Sequence, residues 1–389
     1  MDKKGGFMEN ETEILKKIVE KREFDIIVYG SSSFTGKYVI KELEKSTYNV
    51  ALSGRNIDKI HKSSFKKIQC DIENIEDITK RTRVLLNLAG PFALLGEKII
   101  QACVKTNTDY VDINGEVGFM KSIQENYDYL AKSANQTVLM GCGFDATASD
   151  LGAYFLAKNF DQCKIRGFLS GKNCVMNSGT WNSFLESMRN FHNKKKPAVK
   201  NKKSYYQYDE EEKAYLIKFV GPDGFVVKNS ANYFKNFFNY NYEMYFKTKS
   251  FFSVILMVVS FFLVNIFVQF SFTYYLLKTF PSFFTFGTFK SNGPSEETVK
   301  KGSFELKMTA TGEREGKKCK QTLIISGPDA PYLSCSIFCT EACFQILKNK
   351  KNVRKGVVFP ATALANTDVK QELERKGILF KFNQLNYIK

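Results

Sequence analysis

The stretch Phe24-Asp25-Ile26-Ile27-Val28-Tyr29-Gly30-Ser31-Ser32-Ser33-Phe34-Thr35-Gly36-Lys37-Tyr38-Val39-Ile40-Lys41-Glu42-Leu43 changes character twice. Its first six residues are an apolar, β-branched run that ends on a glycine, as a buried parallel strand does. From Lys37 onward apolar residues return at helical spacing. The seven residues between are therefore a tight turn joining a strand to a helix. That order aims backbone N–H groups and the positive end of a helix dipole at one point, which suits a pyrophosphate. Gly30 permits the turn and Gly36 the close approach of helix to strand, while Ser33 stands where a G-x-x-G-x-x-G pattern has its middle glycine.

Working outward, Asn49-Val50-Ala51-Leu52-Ser53-Gly54-Arg55 is a second apolar run, ending where the residue that contacts an adenosine ribose belongs. No carboxylate is present to accept from a ribose 2′-hydroxyl. Ser53 and Arg55 stand there instead, with Lys59 one turn on, and a guanidinium suits a 2′-phosphate. NADP(H) is accordingly favoured over NAD(H); the alternative is that Arg55 is a solvated residue after a strand. A third strand ends at Cys70-Asp71, with Asp71 positioned for the adenine edge. A fourth, Val84-Leu85-Leu86-Asn87-Leu88-Ala89-Gly90-Pro91, puts Ala89, Gly90 and Pro91 against the nicotinamide half, unless this is a turn without a ligand. The expected cofactor-binding set is thus Gly30, Ser31, Ser32, Ser33, Phe34, Thr35, Gly36, Ser53, Arg55, Asp71, Ala89, Gly90 and Pro91. Strands at Asp109-Tyr110-Val111-Asp112 and Thr137-Val138-Leu139-Met140 follow, the latter leading through a polar loop to Asp150-Leu151-Gly152. This β–α alternation predicts a doubly wound parallel sheet.

The chain has 389 residues, more than one core usually serves, so a second domain is expected. Its formal charge of +17 favours anionic partners such as nucleotides or phospholipid head groups. No zinc-finger, RNP or helix-turn-helix pattern accompanies that charge, so no nucleic-acid partner is expected. Nine cysteines without CxxC spacing indicate a reducing compartment. Cys335, Cys339 and Cys343 recur every four residues and would stripe one helix face, buried in the simplest case, with palmitoylation or metal binding as the alternatives. With only His61 and His192, no metal site and no Ser-His-Asp catalysis are expected. Residues 1–23 are charged and lack the apolar core of a secretory signal, which points to a cytosolic start.

Several motifs together resemble one family. Gly30 to Gly36 with Phe34-Thr35, Ser53-Gly54-Arg55, Asn87-Leu88-Ala89-Gly90-Pro91, Gly96, Tyr110-Val111-Asp112-Ile113-Asn114-Gly115-Glu116 and Gly143-Phe144-Asp145 look like the saccharopine dehydrogenase-like oxidoreductases, a group that includes trans-acting enoyl reductases. Gly179-Thr180-Trp181, Phe280-Pro281-Ser282-Phe283-Phe284-Thr285-Phe286-Gly287, Asn292-Gly293-Pro294 and Gly356-Val357-Val358-Phe359-Pro360 extend the likeness over nearly the whole chain. Ser33 and Ala148, the latter where the family often has proline, depart from it. The resemblance implies a Rossmann fold with a dinucleotide cofactor and bears less on the reaction.

Residues 251–277, FFSVILMVVSFFLVNIFVQFSFTYYLL, carry no charge over 27 positions, which is long enough to enter a membrane; a buried core helix is the alternative. Lys247, Lys249 and Lys278 flank the segment, and Tyr274 and Tyr275 supply interfacial rings. If residues 357–388 return to the nucleotide-binding half, both ends of the segment lie on one side of the bilayer. A single span is then excluded, and a re-entrant hairpin, an in-plane helix or a monolayer anchor remains. Asn265 and Gln269 fit a bend. The basic run at 194–203 is either a solvated loop or a contact for anionic head groups.

The expected architecture is an α/β Rossmann doubly wound parallel sheet plus an α+β second domain carrying the apolar membrane-associated segment. Its divisions are an extension at 1–23, an NADP-binding domain at 24–160, a substrate and membrane domain at 161–345, and a returning segment at 346–389. The expected function is that of an NADP(H)-dependent oxidoreductase on a hydrophobic, lipid-derived small molecule, at the cytosolic face of an internal membrane or a lipid droplet. A non-catalytic lipid-surface protein with a nucleotide-binding Rossmann domain is the first alternative, and a saccharopine or amino-acid dehydrogenase the second. A homodimer is compatible with either. Asp145, Tyr110 and Asp112 are the polar candidates for proton transfer at the strand ends.

Overall fold

The computed structural model describes residues 22–193, 206–219 and 221–388, so most of the N-terminal extension and the whole basic run at 194–203 lie outside the described residues. The chain divides into two compact units, the first built from Met1–Asn114, Phe119–Cys142 and Ser336–Val369, the second from Gly115–Gly118, Gly143–Cys335 and Lys370–Lys389.

The first unit is the expected parallel sheet. Its strands are β1 (Phe24–Tyr29), β2 (Val50–Gly54), β3 (Lys66–Gln69), β4 (Thr82–Asn87), β5 (Asp109–Asp112), β6 (Thr137–Leu139) and, far along the chain, β15 (Gly356–Val358). Helices α1 (Phe34–Leu43), α2 (Phe92–Lys105) and α3 (Val117–Ser133) alternate with them. The order is β15-β6-β5-β4-β1-β2-β3, all parallel. Ile26, Ile27, Val28, Leu85 and Leu86 are fully buried, as the unbroken apolar runs require of strands covered on both faces. A helix at Cys335–Lys348, α9 in chain order, buries Cys335, Cys339 and Cys343, so the four-residue recurrence is a core stripe.

The second unit is built on a mixed sheet. Its strands β7 (Gln162–Lys172), β9 (Tyr206–Asp209), β10 (Ala214–Lys218), β11 (Asn239–Thr248), β13 (Ser303–Arg314), β14 (Lys317–Pro328) and β16 (Leu379–Phe382) lie in the order β16-β14-β13-β7-β11-β10-β9. Short strands β8 (Met176–Asn177) and β12 (Phe289–Lys290) pair with each other, and β17 (Asn386–Tyr387) pairs with β14. In β13, buried Phe304, Leu306 and Met308 alternate with more open Ser303, Glu305 and Lys307. Helices α4 (Phe144–Ala157) and α6 (Asp223–Phe234) pack on each other and on this sheet; α5 is Ser178–Asn193.

Two expectations are corrected. The polar stretch from Asp145 to Asp150 is the start of α4, where alanines favour helix and no proline interrupts at Ala148. Only β15 of the C-terminal segment returns to the parallel sheet; β16 pairs with β14, because residues Lys370–Lys389 belong to the second unit. The apolar segment is no continuous span. It forms α7 (Phe251–Phe267) and α8 (Ser271–Thr279), and no described helix is long and apolar enough to cross a membrane.

The break between α7 and α8 coincides with packing against α5. Val268 is fully buried in a cluster with Trp181, Leu185, Tyr274 and Leu277. The Thr273 hydroxyl donates to the Phe267 carbonyl at 2.5 Å, taking one of the acceptors a continuing helix would have used. Asn265 and Gln269, expected at a bend, donate back to the carbonyls of Phe261 and Asn265 at the end of α7. Along α7 only Val254 is buried, and Phe252 and Phe262 are 73 % and 61 % exposed.

Candidate functional site

In the parallel sheet β1 lies between β4 and β2, so the direction of winding reverses at the carboxyl ends of β1 and β4, where such sheets hold ligands. Gly30 ends β1 there with φ +79°, and a Cβ on it would stand 2.7 Å from the Ala89 nitrogen. Gly36 is as tightly placed: a Cβ would meet the Ser31 carbonyl oxygen at 2.4 Å. Ser33, in place of a middle glycine, caps α1, its Oγ accepting from Gly36 N at 3.1 Å. Ser31 Oγ donates to the Ser53 carbonyl at 3.0 Å and ties the turn to β2.

The expected cofactor residues thus come together along one edge: 30–36 after β1, Ser53 and Arg55 at the end of β2, Asp71 after β3, and 89–91 after β4. Ser53 Oγ is buried with no hydrogen-bond partner among the described residues. Arg55 and Lys59 are exposed and make no ion pair there. Asp71 caps a short 3-10 turn, accepting from Ile72 N at 3.3 Å. An orphaned hydroxyl, two unpaired cations and a capped helix N-terminus fit a phosphorylated dinucleotide.

Tyr110 and Asp112 have a different place. Asn87 Nδ2 donates to Tyr110 Oη at 3.0 Å, Tyr110 Oη donates to Asp112 Oδ2 at 3.0 Å, and Asp112 Oδ1 accepts from Gly141 N at 2.8 Å and from Asn114 N at 3.2 Å. Asn87 Oδ1 also accepts from Ala89 N at 2.9 Å. The network is buried and ties together the carboxyl ends of β4, β5 and β6. Burial pushes the Asp112 carboxyl up to about 6 against the pull of its donors, and the Tyr110 hydroxyl well above its ordinary range.

Asp145, the third candidate, lies in the second unit, in the first turn of α4. Burial raises its pKa although Ala146 N donates to it at 2.9 Å. Two groups missed in the sequence accompany it. Asp223, 1 % exposed, begins α6 and feels the Asp145 charge, and the Tyr242 hydroxyl of β11 hydrogen-bonds to Asp223 and donates to Ser149 Oγ at 3.1 Å. Asp223 sits in a Gly221-Pro222-Asp223-Gly224 turn with no periodic signal, and only the packing of α4, α6 and β11 makes it a neighbour of Asp145.

The parallel sheet with its glycine-bounded turn is a Rossmann-type nucleotide-binding fold, and residues 26–139 match the saccharopine dehydrogenase NADP binding domain. Over nearly its whole length the chain is similar to saccharopine dehydrogenase-like oxidoreductases. It is 28 % identical to the saccharopine dehydrogenase-like oxidoreductase of Homo sapiens over 93 % of this chain and 97 % of that one. It is 26 % identical to a lipid droplet localized protein of Caenorhabditis elegans over 92 % and 98 %. In fold it is similar to apo saccharopine dehydrogenase (L-Glu forming) of Saccharomyces cerevisiae, with TM-score 0.55 and 12 % identity over 93 % of this chain and all of that one.

Proposed function

We propose that the protein is an NADP(H)-dependent oxidoreductase that acts on a hydrophobic, lipid-derived substrate while seated on a membrane or lipid-droplet surface. The observation that carries the reading is the uncovered apolar face of α7 and α8. Phe252, Phe262, Phe270 and Phe272 are each more than 60 % exposed, with Phe283 and Phe286 just beyond, and clustered exposed apolar rings of this kind mark surfaces that meet a membrane or a partner. With α7 about 26 Å long at 1.5 Å per residue, the helix lies in one leaflet or along a monolayer rather than through a bilayer. The lipid droplet name of the Caenorhabditis elegans relative supports the same surface.

On this reading Gly30 to Gly36 hold the pyrophosphate, Ser53 and Arg55 the 2′-phosphorylated ribose, Asp71 the adenine edge, and Ala89 to Pro91 the nicotinamide side. Arg55 and Lys59 favour NADP(H) over NAD(H). When bound, the reduced cofactor supplies a hydride. The test is NADPH consumption by the purified full-length chain, with and without a total lipid extract. Stimulation by lipid is expected. Lipid binding without consumption would overturn the enzyme in favour of a lipid-surface protein that binds nucleotide without turnover.

A further inference from the structure

The apolar stretch that forms α7 and α8 is bordered by charge of one sign. Between Glu243 and Glu296 the chain has no acid, and its only charges are Lys247, Lys249, Lys278 and Lys290. Glu212 holds Lys247 at 3.0 Å, whereas Lys249 and Lys290 are exposed and make no ion pair among the described residues. A helix seated in one leaflet brings such flanking cations to head-group depth, where their stems run along apolar surface and their charges stay in water.

The most fully built of these cation sites is the seam between α5 and α8. The Trp181 indole N–H donates to the Leu277 carbonyl at 2.8 Å, and Leu185 and Leu277 are wholly buried beside it, so the two helices are fixed to each other. At the exposed rim of the seam the Tyr274 hydroxyl donates to Glu186 Oε1, and Lys278 Nζ stands 3.6 Å from the same oxygen. Arg189, one turn beyond Glu186 on α5, lies over the Tyr274 ring with its guanidinium carbon 4.6 Å from the ring centre, and Lys278 Nζ is 5.5 Å from that centre. Burial, and then the bond to Glu186, push the Tyr274 hydroxyl up to about 12, so the phenol adds no negative charge.

Two cations against one carboxylate leave a positive charge over. Arg189 is partly exposed and makes no ion pair among the described residues, and its planar fork of N–H donors matches two oxygens of a phosphate. The neighbouring surface says what kind of phosphate. Phe272, Tyr275 and Lys278 follow at three-residue intervals and share one strip of α8, with Phe272 73 % and Tyr275 63 % exposed. A cation at the end of a strip of bare rings suits an anion that carries acyl chains, and a tyrosine between them suits the boundary of head groups and hydrocarbon.

We propose that the α5–α8 seam is a head-group site for an anionic phospholipid, with Arg189 and Lys278 on the lipid phosphate and the acyl chains along Tyr275 and Phe272. This rests on the lipid-surface reading above and adds to it a choice among lipids. Glu186 and Tyr274 are positioning residues: the carboxylate keeps Lys278 beside the ring, and the ring carries Arg189. A choline head group brings its own cation to the same place and offsets the attraction, so a zwitterionic surface is held less tightly.

Flotation of the full-length chain tests the site, with vesicles of phosphatidylcholine alone and of phosphatidylcholine with phosphatidic acid. A chain of formal charge +17 is drawn to any anionic surface, so the variants decide. Arg189→Gln should weaken binding to the phosphatidic acid vesicles about 5-fold, and Arg189→Gln with Lys278→Gln about 25-fold, while binding to phosphatidylcholine and the melting temperature stay as in the wild type. Lys62→Gln, which removes an exposed charge of the first unit, should change neither. Equal flotation of the wild type with both vesicles, or an Arg189→Gln variant that behaves as Lys62→Gln does, overturns the proposal and leaves the lipid-surface reading standing. Release from the anionic vesicles by glycerol 3-phosphate at a matching phosphate concentration also overturns it, in favour of a site for soluble phosphates. A wild type that floats with neither vesicle overturns the lipid-surface reading itself. Should Lys278→Gln lower the melting temperature by loosening the seam, Arg189→Gln alone decides the matter.

Discussion

Gly30 and Ala89 approach so closely that no side chain fits between them: a Cβ on Gly30 would lie 2.7 Å from the Ala89 nitrogen and 2.9 Å from its Cα. The obstacle is backbone, which cannot rotate away, and the φ of +79° adds strain of its own. Gly30→Ala should therefore part β1 from the loop after β4. Nucleotide binding, read by protein-to-NADPH fluorescence transfer, is expected to fall below detection, with a stability loss of at least about 1–3 kcal/mol. Unchanged NADPH affinity would remove the cradle from the carboxyl ends of β1 and β4.

Arg55 is exposed at the end of β2 and makes no ion pair among the described residues, and a charge-assisted bond to a phosphate contributes roughly 1.5–3 kcal/mol, or about 10- to 100-fold in affinity. Calorimetry should find NADPH bound more tightly than NADH by that margin, and Arg55→Ala should erase most of the difference by weakening NADPH alone. Equal affinities in the wild type would sink the preference.

Asp112 gives a pH dependence with a definite sign. Its folded pKa of about 6 lies above the ordinary 3.8, so the unfolded chain releases this proton first as pH rises. Its contribution to stability is therefore full below about pH 4 and falls until about pH 6, by a total on the order of 3 kcal/mol. Asp112→Asn keeps an acceptor for Gly141 N and should flatten that part of the curve. Urea unfolding of both proteins between pH 4 and 7 checks it; curves that stay parallel would show that Asp112 does not titrate there.

The apolar face separates two kinds of substitution. Phe252→Glu with Phe262→Glu changes exposed positions, so the melting temperature should hold while flotation with vesicles or artificial droplets drops by 100-fold or more, given roughly 1.5–3 kcal/mol per buried Phe. Val268→Asp puts a charge into the Trp181 cluster and should unfold the region without any lipid present. Unchanged flotation of the double glutamate variant would mean that lipid is held elsewhere.

Much of the first unit was legible because its signals are local. The β1 run, its glycine and the return of helical spacing at Tyr38 lie within 20 residues, and Arg55 is read from its distance along the chain. The cysteine stripe was legible for the same reason. What escaped depends on tertiary partners. Nothing in VNIFVQFSF marks a break by glycine or proline; Val268 turns the chain because Trp181 and Leu277 bury it, and the Trp181 indole N–H donates to the Leu277 carbonyl at 2.8 Å. The 379–382 strand was assigned to the wrong sheet because its alternation suits either edge, and the register Leu323↔Phe382 decides between them. Tyr110 and Asp112 were chosen as polar groups at a strand end, yet every hydrogen bond they make runs inward. Asp223 was missed because an acid after a proline reads as a helix start and nothing more.

The pairing of Val357 with Val138 joins strands 219 positions apart, with almost the whole second unit synthesised between them. On a ribosome adding roughly 5–20 residues per second, the nucleotide-binding sheet waits on the order of 10–45 s for its last strand, with the open edge of β6 unpaired. During that interval α7 emerges as well, apolar on almost every side. The edge of β6 therefore stays open until β15 is made, and any truncation that removes β15 leaves an unfinished sheet edge rather than a smaller working domain.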